Sequence, residues 1–156
     1  LQRITNCIVA YEDRILMIKK PRRGWWYLPG GKMEHEELAP EAVEREVYEE
    51  TGLTIKRPSI RGILTHLILD EDTYLEKRTM FLFEAASFTG TLRQKSPEGE
   101  LAWIPAADMD NIEMDEADRT AIKAVLDTEG ILYGTLTYNQ RRELQTSKLE
   151  MNGRRI

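Results

Sequence analysis

The stretch from Gly30 to Leu53 constrains the fold of this chain more than any other. It opens on Pro29-Gly30-Gly31, where glycine admits positive φ and lets other groups approach the backbone closely. From about Ala39 to Thr51 the pattern is helical: Pro40 suits the first turn, where its missing N–H costs little, and Gly52 is placed to cap the C-terminus. At about 100° per residue, with Ala42 at zero, Ala39, Val43 and Val47 fall at about 60°, 100° and 140° and define an apolar stripe. Glu46 and Glu50, at about 40° and 80°, lie inside that stripe, and Glu49, at about 340°, borders it. Glu41, Glu44 and Tyr48 take the opposite side.

That placement is unfavourable for the helix itself. Like charges at i and i+4 repel by roughly 0.2 to 0.5 kcal/mol, and acids near a C-terminus oppose the helix dipole. Carboxylates clustered on a shielded face are tolerated when a multivalent cation neutralises them, and hard oxygen donors select Mg²⁺, Mn²⁺ or Ca²⁺. Helix geometry alone leaves a second reading open, an acidic surface with Arg45 as local counterion.

The rest of the chain bounds what surrounds this helix. Its 156 residues fit one domain with a sizeable core. A net charge of -5 is opposite in sign to a nucleic-acid-binding surface, so extended DNA or RNA contact is not expected. The single cysteine, Cys7, sits in an apolar run and reads as a small core residue. No apolar stretch reaches the roughly 18 residues that span a bilayer, and the first residues lack the basic-then-apolar pattern of a signal peptide. The expectation is a soluble cytoplasmic protein with no membrane partner.

Strands are expected over Ile4 to Tyr11 and Ile15 to Lys19, joined by a turn at Glu12-Asp13. Further strand-like runs cover Ile60 to Leu69, Thr79 to Ala85 and Leu101 to Ile104, and the tail from Leu132 to Met151 reads as two more. A second helix spans about Glu116 to Leu126, with Asp115 as its N-cap. Strands mixed with two separated helices suggest one α/β sandwich.

Gly31, Glu37, Arg45, Glu46, Val47, Glu49, Glu50, Gly52 and Leu53 match the pattern G-x5-E-x7-R-E-U-x-E-E-x-G-U, U being aliphatic, at every fixed position. The chain thereby resembles the Nudix hydrolases. The segments Trp26-Tyr27-Leu28-Pro29-Gly30-Gly31-Lys32 and Glu98-Gly99-Glu100-Leu101-Ala102-Trp103-Ile104-Pro105 look like the MutT-related branch. One departure is Glu36, where many relatives place a glycine. The resemblance implies a single Nudix hydrolase domain over residues 1–156: an α/β/α sandwich with a mixed β-sheet, in which the motif forms a loop-helix-loop that holds metal.

Carried onto these residues, the resemblance makes Glu46 and Glu50 metal ligands, completed by the Gly30 carbonyl and Glu49, with Mg²⁺ as cofactor and Mn²⁺ as its alternative. Arg45 would pair with Glu37 and orient the helix. Relatives differ in the general base, which leaves Glu49 and Glu98 as candidates, with Glu100 behind them. Arg22, Arg23 and Lys32 flank the glycine turn and are candidates for phosphate contact, beside Gly31. Trp25 or Trp26 is a candidate to stack on a base, and Asp118 to meet a base edge, while His35 and His66 carry no assigned role.

The function expected is metal-dependent hydrolysis of a phosphoanhydride bond in a small nucleotide, a nucleoside triphosphate (oxidised ones such as 8-oxo-dGTP included) or a related nucleoside diphosphate derivative. The alternatives are a related hydrolase acting on RNA 5′ triphosphate ends or isoprenyl diphosphates, and a non-catalytic sensor of the same fold. Family members often dimerise, so the resemblance also allows a homodimer.

Overall fold

The computed structural model describes residues 1–156. Strands β1 (Gln2–Tyr11) and β2 (Arg14–Lys20) form a hairpin whose two-residue turn, Glu12-Asp13, has positive φ at both positions, 50° and 60°. That geometry matches the twist of the flanking strands. The two strands pair only at Ala10 with Ile15 and Tyr11 with Arg14, and then separate. β3 (Trp25–Tyr27) pairs with β2, while β4 (Gly30–Lys32) pairs with β1 through Ile4–Lys32, Thr5–Gly31 and Asn6–Gly30. The glycine turn therefore lies in the opening between the two halves of the hairpin.

Helix α1 (Ala39–Thr51) follows, with Glu41 accepting the Leu38 N–H at 2.8 Å and Gly52 ending it in the left-handed region at φ 82°. After β5 (Leu53–Ile55) come the long strands β6 (Ser59–Asp70) and β7 (Thr73–Ala85), then β8 (Phe88–Gly90), β9 (Lys95–Ser96) and β10 (Gly99–Pro105). A 3₁₀ turn (Ala106–Asn111) leads to α2 (Glu116–Asp127), and β11 (Leu132–Tyr138), β12 (Leu144–Met151) and β13 (Arg154–Arg155) close the chain. Both long helices stand where the sequence pattern puts them, and Asp115 caps α2 by accepting from the N–H groups of Ala117 at 2.8 Å and Asp118 at 3.4 Å. The short strands β3, β4, β5, β8, β9 and β13 are additional. Each holds two or three residues, too few for a period-2 pattern to register.

The main sheet runs β13-β12-β11-β6-β7-β1-β2-β10-β9. It is mixed: β1 with β7 and β6 with β11 are parallel, and the other pairs antiparallel. Alternation along β1 and β2 sends Ile8, Ile15 and Met17 to one core with Ala117, Ala121, Ile122 and Val125 of α2. Cys7, Val9 and Leu16 point the other way, against Val43 and Val47 of α1. The sheet is thus sandwiched between α1 and α2, and Cys7 is a buried core residue. No helix is long and apolar enough to cross a membrane.

Candidate active site

Gly31 lacks the atom that would keep α1 away from the turn. A Cβ built there would stand 2.5 Å from Glu46 Cδ and 2.6 and 2.7 Å from its carboxylate oxygens, so Glu46 rests directly on the glycine. One helical turn on, Glu50 is buried, 8% exposed. Its carboxyl is pushed up to about 8, first by loss of hydration and then by the negative charge of Glu46. The Gly30 N–H and the Lys20 ammonium act in the opposite direction, and the charge of Glu98 adds to the upward push.

Arg45 organises the outer side of this pair. Its Nε donates to Glu37 Oε2 at 2.7 Å and its Nη2 to Glu37 Oε1 at 2.8 Å, a bidentate fork that holds the Glu37 carboxyl well down, at about 2. The same guanidinium donates to Glu46 Oε1 at 2.9 Å, to Glu49 Oε2 at 3.3 Å and to the Lys32 carbonyl at 3.1 Å. The loop before the helix, the helix and the glycine strand are thereby tied to one rigid planar group. Glu49, the remaining candidate ligand, is the most exposed of these acids. At the border of the stripe it turns outward to Arg45, with its side chain 57% exposed. No three His, Cys, Asp or Glu side chains stand together as a ready-made metal cluster. Glu98 lies in the two-residue turn between β9 and β10, its N–H donating to Ser96 Oγ at 3.1 Å. Glu100 is exposed on β10.

A cleft of about 830 Å³ opens from the glycine turn across the sheet. Of the residues singled out in the sequence, Gly30, Gly31, Lys32, Arg22, Arg23, Trp25 and Asp118 line it. Trp26 does not. Neighbours on a strand face opposite ways, so Trp25 and Tyr27 point into the cleft while Trp26 packs against the α2 core. Of the two tryptophans only Trp25 faces the cleft, and its ring carries the Arg23 guanidinium 4.7 Å from its centroid. On the cleft floor, Tyr138 donates its hydroxyl to Asp115 Oδ1 at 3.3 Å. Beside them the Asp118 carboxyl is pushed up, first by desolvation and then by the negative charge of Asp115.

Sequence reasoning missed Tyr27, His66, Arg78, Tyr138 and the turn Gln140 to Arg142, all of which line the cleft. Their shared signal is register. Arg78 pairs with His66 and Gln2, and Tyr138 with Ile68, so residues far apart in the chain form rows on one sheet face.

The family model described as "NUDIX domain" matches residues 1–125. A Nudix hydrolase of Bacillus subtilis (strain 168), YvcI, is 41% identical over 150 residues, covering 96% of this chain and 95% of that protein. A crystal structure of a MutT mutator protein from Bacillus halodurans superposes with a TM-score of 0.92 at 42% identity, covering 96% of this chain and 98% of that one. An 8-oxo-(d)GTP phosphatase of Mycolicibacterium smegmatis is 30% identical over 76% of this chain and 36% of its own length. With the family model over most of the chain and two relatives matched along nearly their whole length, the chain belongs to the Nudix hydrolases.

Proposed function

We propose that the chain hydrolyses a phosphoanhydride bond in a nucleoside triphosphate, oxidised ones such as 8-oxo-dGTP included, or in a related nucleoside diphosphate derivative, with Mg²⁺ as cofactor and Mn²⁺ as its substitute. The observation that carries this reading is the pair Glu46 and Glu50. Glu46 rests on Gly31, the buried Glu50 accepts from the Gly30 N–H and feels the charge of Glu46, and the same two glycines line a cleft of nucleotide size.

The donor set fits a hard divalent ion. Glu46, Glu50 and the Gly30 carbonyl would hold it, and when bound it would supply charge neutralisation on the phosphates and a more acidic water. The remaining work belongs to side chains. Arg45, fixed by Glu37, keeps Glu46 at its station. Lys32, next to the glycine turn, would take the negative charge of the phosphate chain, while Arg23, bonded to the Arg141 carbonyl, belongs to the other end of the cleft. Between the candidate bases we assign proton abstraction from the attacking water to Glu98. Its charge is felt at Glu50 and its carboxylate has no hydrogen-bond partner, whereas Glu49 is engaged by Arg45.

Trp25 supplies a flat face for a base and Asp118 a polar edge partner, a combination suited to a nucleoside and not to an isoprenyl chain, which needs an apolar channel. Relatives matched over parts of the chain include an 8-oxo-(d)GTP phosphatase and an ADP-ribose pyrophosphatase, in keeping with a small nucleotide. The test is a screen of nucleoside triphosphates, oxidised guanine nucleotides, ADP-ribose, isoprenyl diphosphates and triphosphorylated RNA during Mg²⁺ titration. Magnesium-dependent release of phosphate or pyrophosphate from a nucleotide is expected. Turnover of isoprenyl diphosphates alone, or binding without turnover, would refute the reading.

A further inference from the structure

The cleft carries more positive charge than one phosphate chain uses. Seven cations line it against two carboxylates, in a protein of net charge -5. Lys20 and Lys32 flank the glycine end. The other five are Arg22, Arg23, Arg78, Arg141 and Arg142. Of these five, only Arg78 and Arg142 enter ion pairs, and they share a single acid, Glu76, at 3.1 and 2.9 Å.

The arginines do not all gather at the catalytic end. Gly30 pairs with Asn6, and Asn6 with Leu82 of β7. Six residues further along β7 is Glu76, which holds Arg142 and pairs with Ile68, itself the partner of Tyr138. At about 3.3 Å per residue this is a separation of roughly 20 Å along the strand, more than a triphosphate chain spans. The far group is also built. The Arg23 Nη2 donates to the Arg141 carbonyl at 2.9 Å, locking the β11–β12 turn onto the loop after β2. The turn itself is closed by Asn139, whose Oδ1 accepts from the N–H groups of Arg141 at 2.9 Å and Glu143 at 3.0 Å. Between the two ends, Arg78 Nε is shielded from solvent without a hydrogen-bond partner. The turn lies beyond residue 125, outside the matched family domain.

We propose that this turn, with Arg78, forms a second anion subsite, which selects small nucleotides carrying another phosphoryl group away from the chain being hydrolysed. The inference rests on the nucleotide reading above and deepens it. A polymer end could offer the same phosphate, but the acidity of the whole chain disfavours extended RNA.

The experiment compares kcat/KM for guanosine 5′-triphosphate, its 3′-diphosphate derivative and a triphosphorylated dinucleotide, in the wild type and in Arg141→Ser/Arg142→Ser. One charge-assisted contact amounts to roughly tenfold in affinity, so the 3′-phosphorylated nucleotide should be preferred at least about tenfold. The variant should lose that preference and keep its rate on guanosine 5′-triphosphate. In parallel, guanosine 3′,5′-bisphosphate should bind more tightly than the 5′-monophosphate in calorimetry, in the wild type only. Equal rates on the first two substrates, a preference that survives in the variant, or a dinucleotide superior to the free nucleotide would each overturn the subsite. If no nucleotide is hydrolysed, the proposed function fails on its own; the calorimetric arm still decides the subsite, and equal binding of the two ligands would overturn it.

Discussion

Replacing Gly31 with alanine should separate activity from stability. Gly31 does not have the positive φ that strains other side chains, so the backbone accepts alanine. The obstacle is Glu46, whose Cδ would lie 2.5 Å from the new Cβ. Ordinary van der Waals contact between carbons is about 3.5 to 4.0 Å, so the carboxylate must retreat by about 1 Å. It is the far end of a flexible side chain, and moving it costs little. The loss is offset by the smaller conformational freedom of alanine in the unfolded chain, about 0.4 to 1 kcal/mol. Unfolding free energy should therefore change by less than about 1 kcal/mol. Activity is another matter, because a displacement of about 1 Å in a catalytic constellation costs on the order of a hundredfold in rate. Steady-state turnover of the nucleotide identified by screening, beside a urea melt, measures both. Wild-type turnover in the variant would refute the claim that Glu46 works where it rests on Gly31, and a large loss of stability would refute the account of how the clash is relieved.

Glu50→Gln replaces a buried carboxyl already pushed towards its neutral form with a neutral amide of the same shape, so it should leave stability about equal while lowering turnover at saturating magnesium by at least about a hundredfold, read by rate assay and melt. Trp25→Ala should raise KM by about 5- to 150-fold, the range for losing a base–aromatic stack of about 1 to 3 kcal/mol, whereas Trp26→Ala should lower the melting temperature with the smaller effect on KM. His66 is pushed down to about 4, by burial and then by Arg78, against about 6.5 unfolded. Its contribution is complete above pH 6.5 and is lost as pH falls towards and through 4, up to about 3 kcal/mol in all. Urea melts across that window should therefore be flatter for His66→Gln than for the wild type, and parallel curves would contradict the assignment.

How much of this was legible in the sequence depends on how far apart the cooperating residues are. Glu46, Glu49 and Glu50 share one helix, so spacing alone placed them on or beside its apolar stripe, whereas the Arg45–Glu37 fork was expected only from the resemblance to the Nudix hydrolases. Asp115 was legible for the same reason, since a cap is a relation between a residue and the next few N–H groups. The cleft floor was not. Arg78, His66 and Tyr138 come together through the parallel pairing of β6 with β11 and the antiparallel pairing of β6 with β7, and nothing local in the sequence encodes that register. Trp25 and Trp26 fail for a subtler reason: adjacent residues on a three-residue strand must face opposite ways, yet which one faces the cleft is decided only by the pairing with β2.

The same distinction explains why α1 carries charges that weaken it. A helix of 13 residues is marginal in water, so α1 exists because Ala42, Val43 and Val47 are buried against the sheet. That packing fixes the rotation of the helix, and rotation carries Glu46 and Glu50 onto the glycine turn together with the valines. An apolar residue at position 50 would suit the buried site better, since a sheltered charge without a partner costs stability. Glu50 cannot be explained as a solvated surface acid, because it is buried. Nor is it a structural ion pair, for Arg45 spends its donors on Glu37, Glu46, Glu49 and the Lys32 carbonyl. What remains is a buried carboxyl opposed only by the Gly30 N–H and the Lys20 ammonium, an environment that the proposed cation would complete, on a helix held to the sheet by the apolar residues on both sides of it.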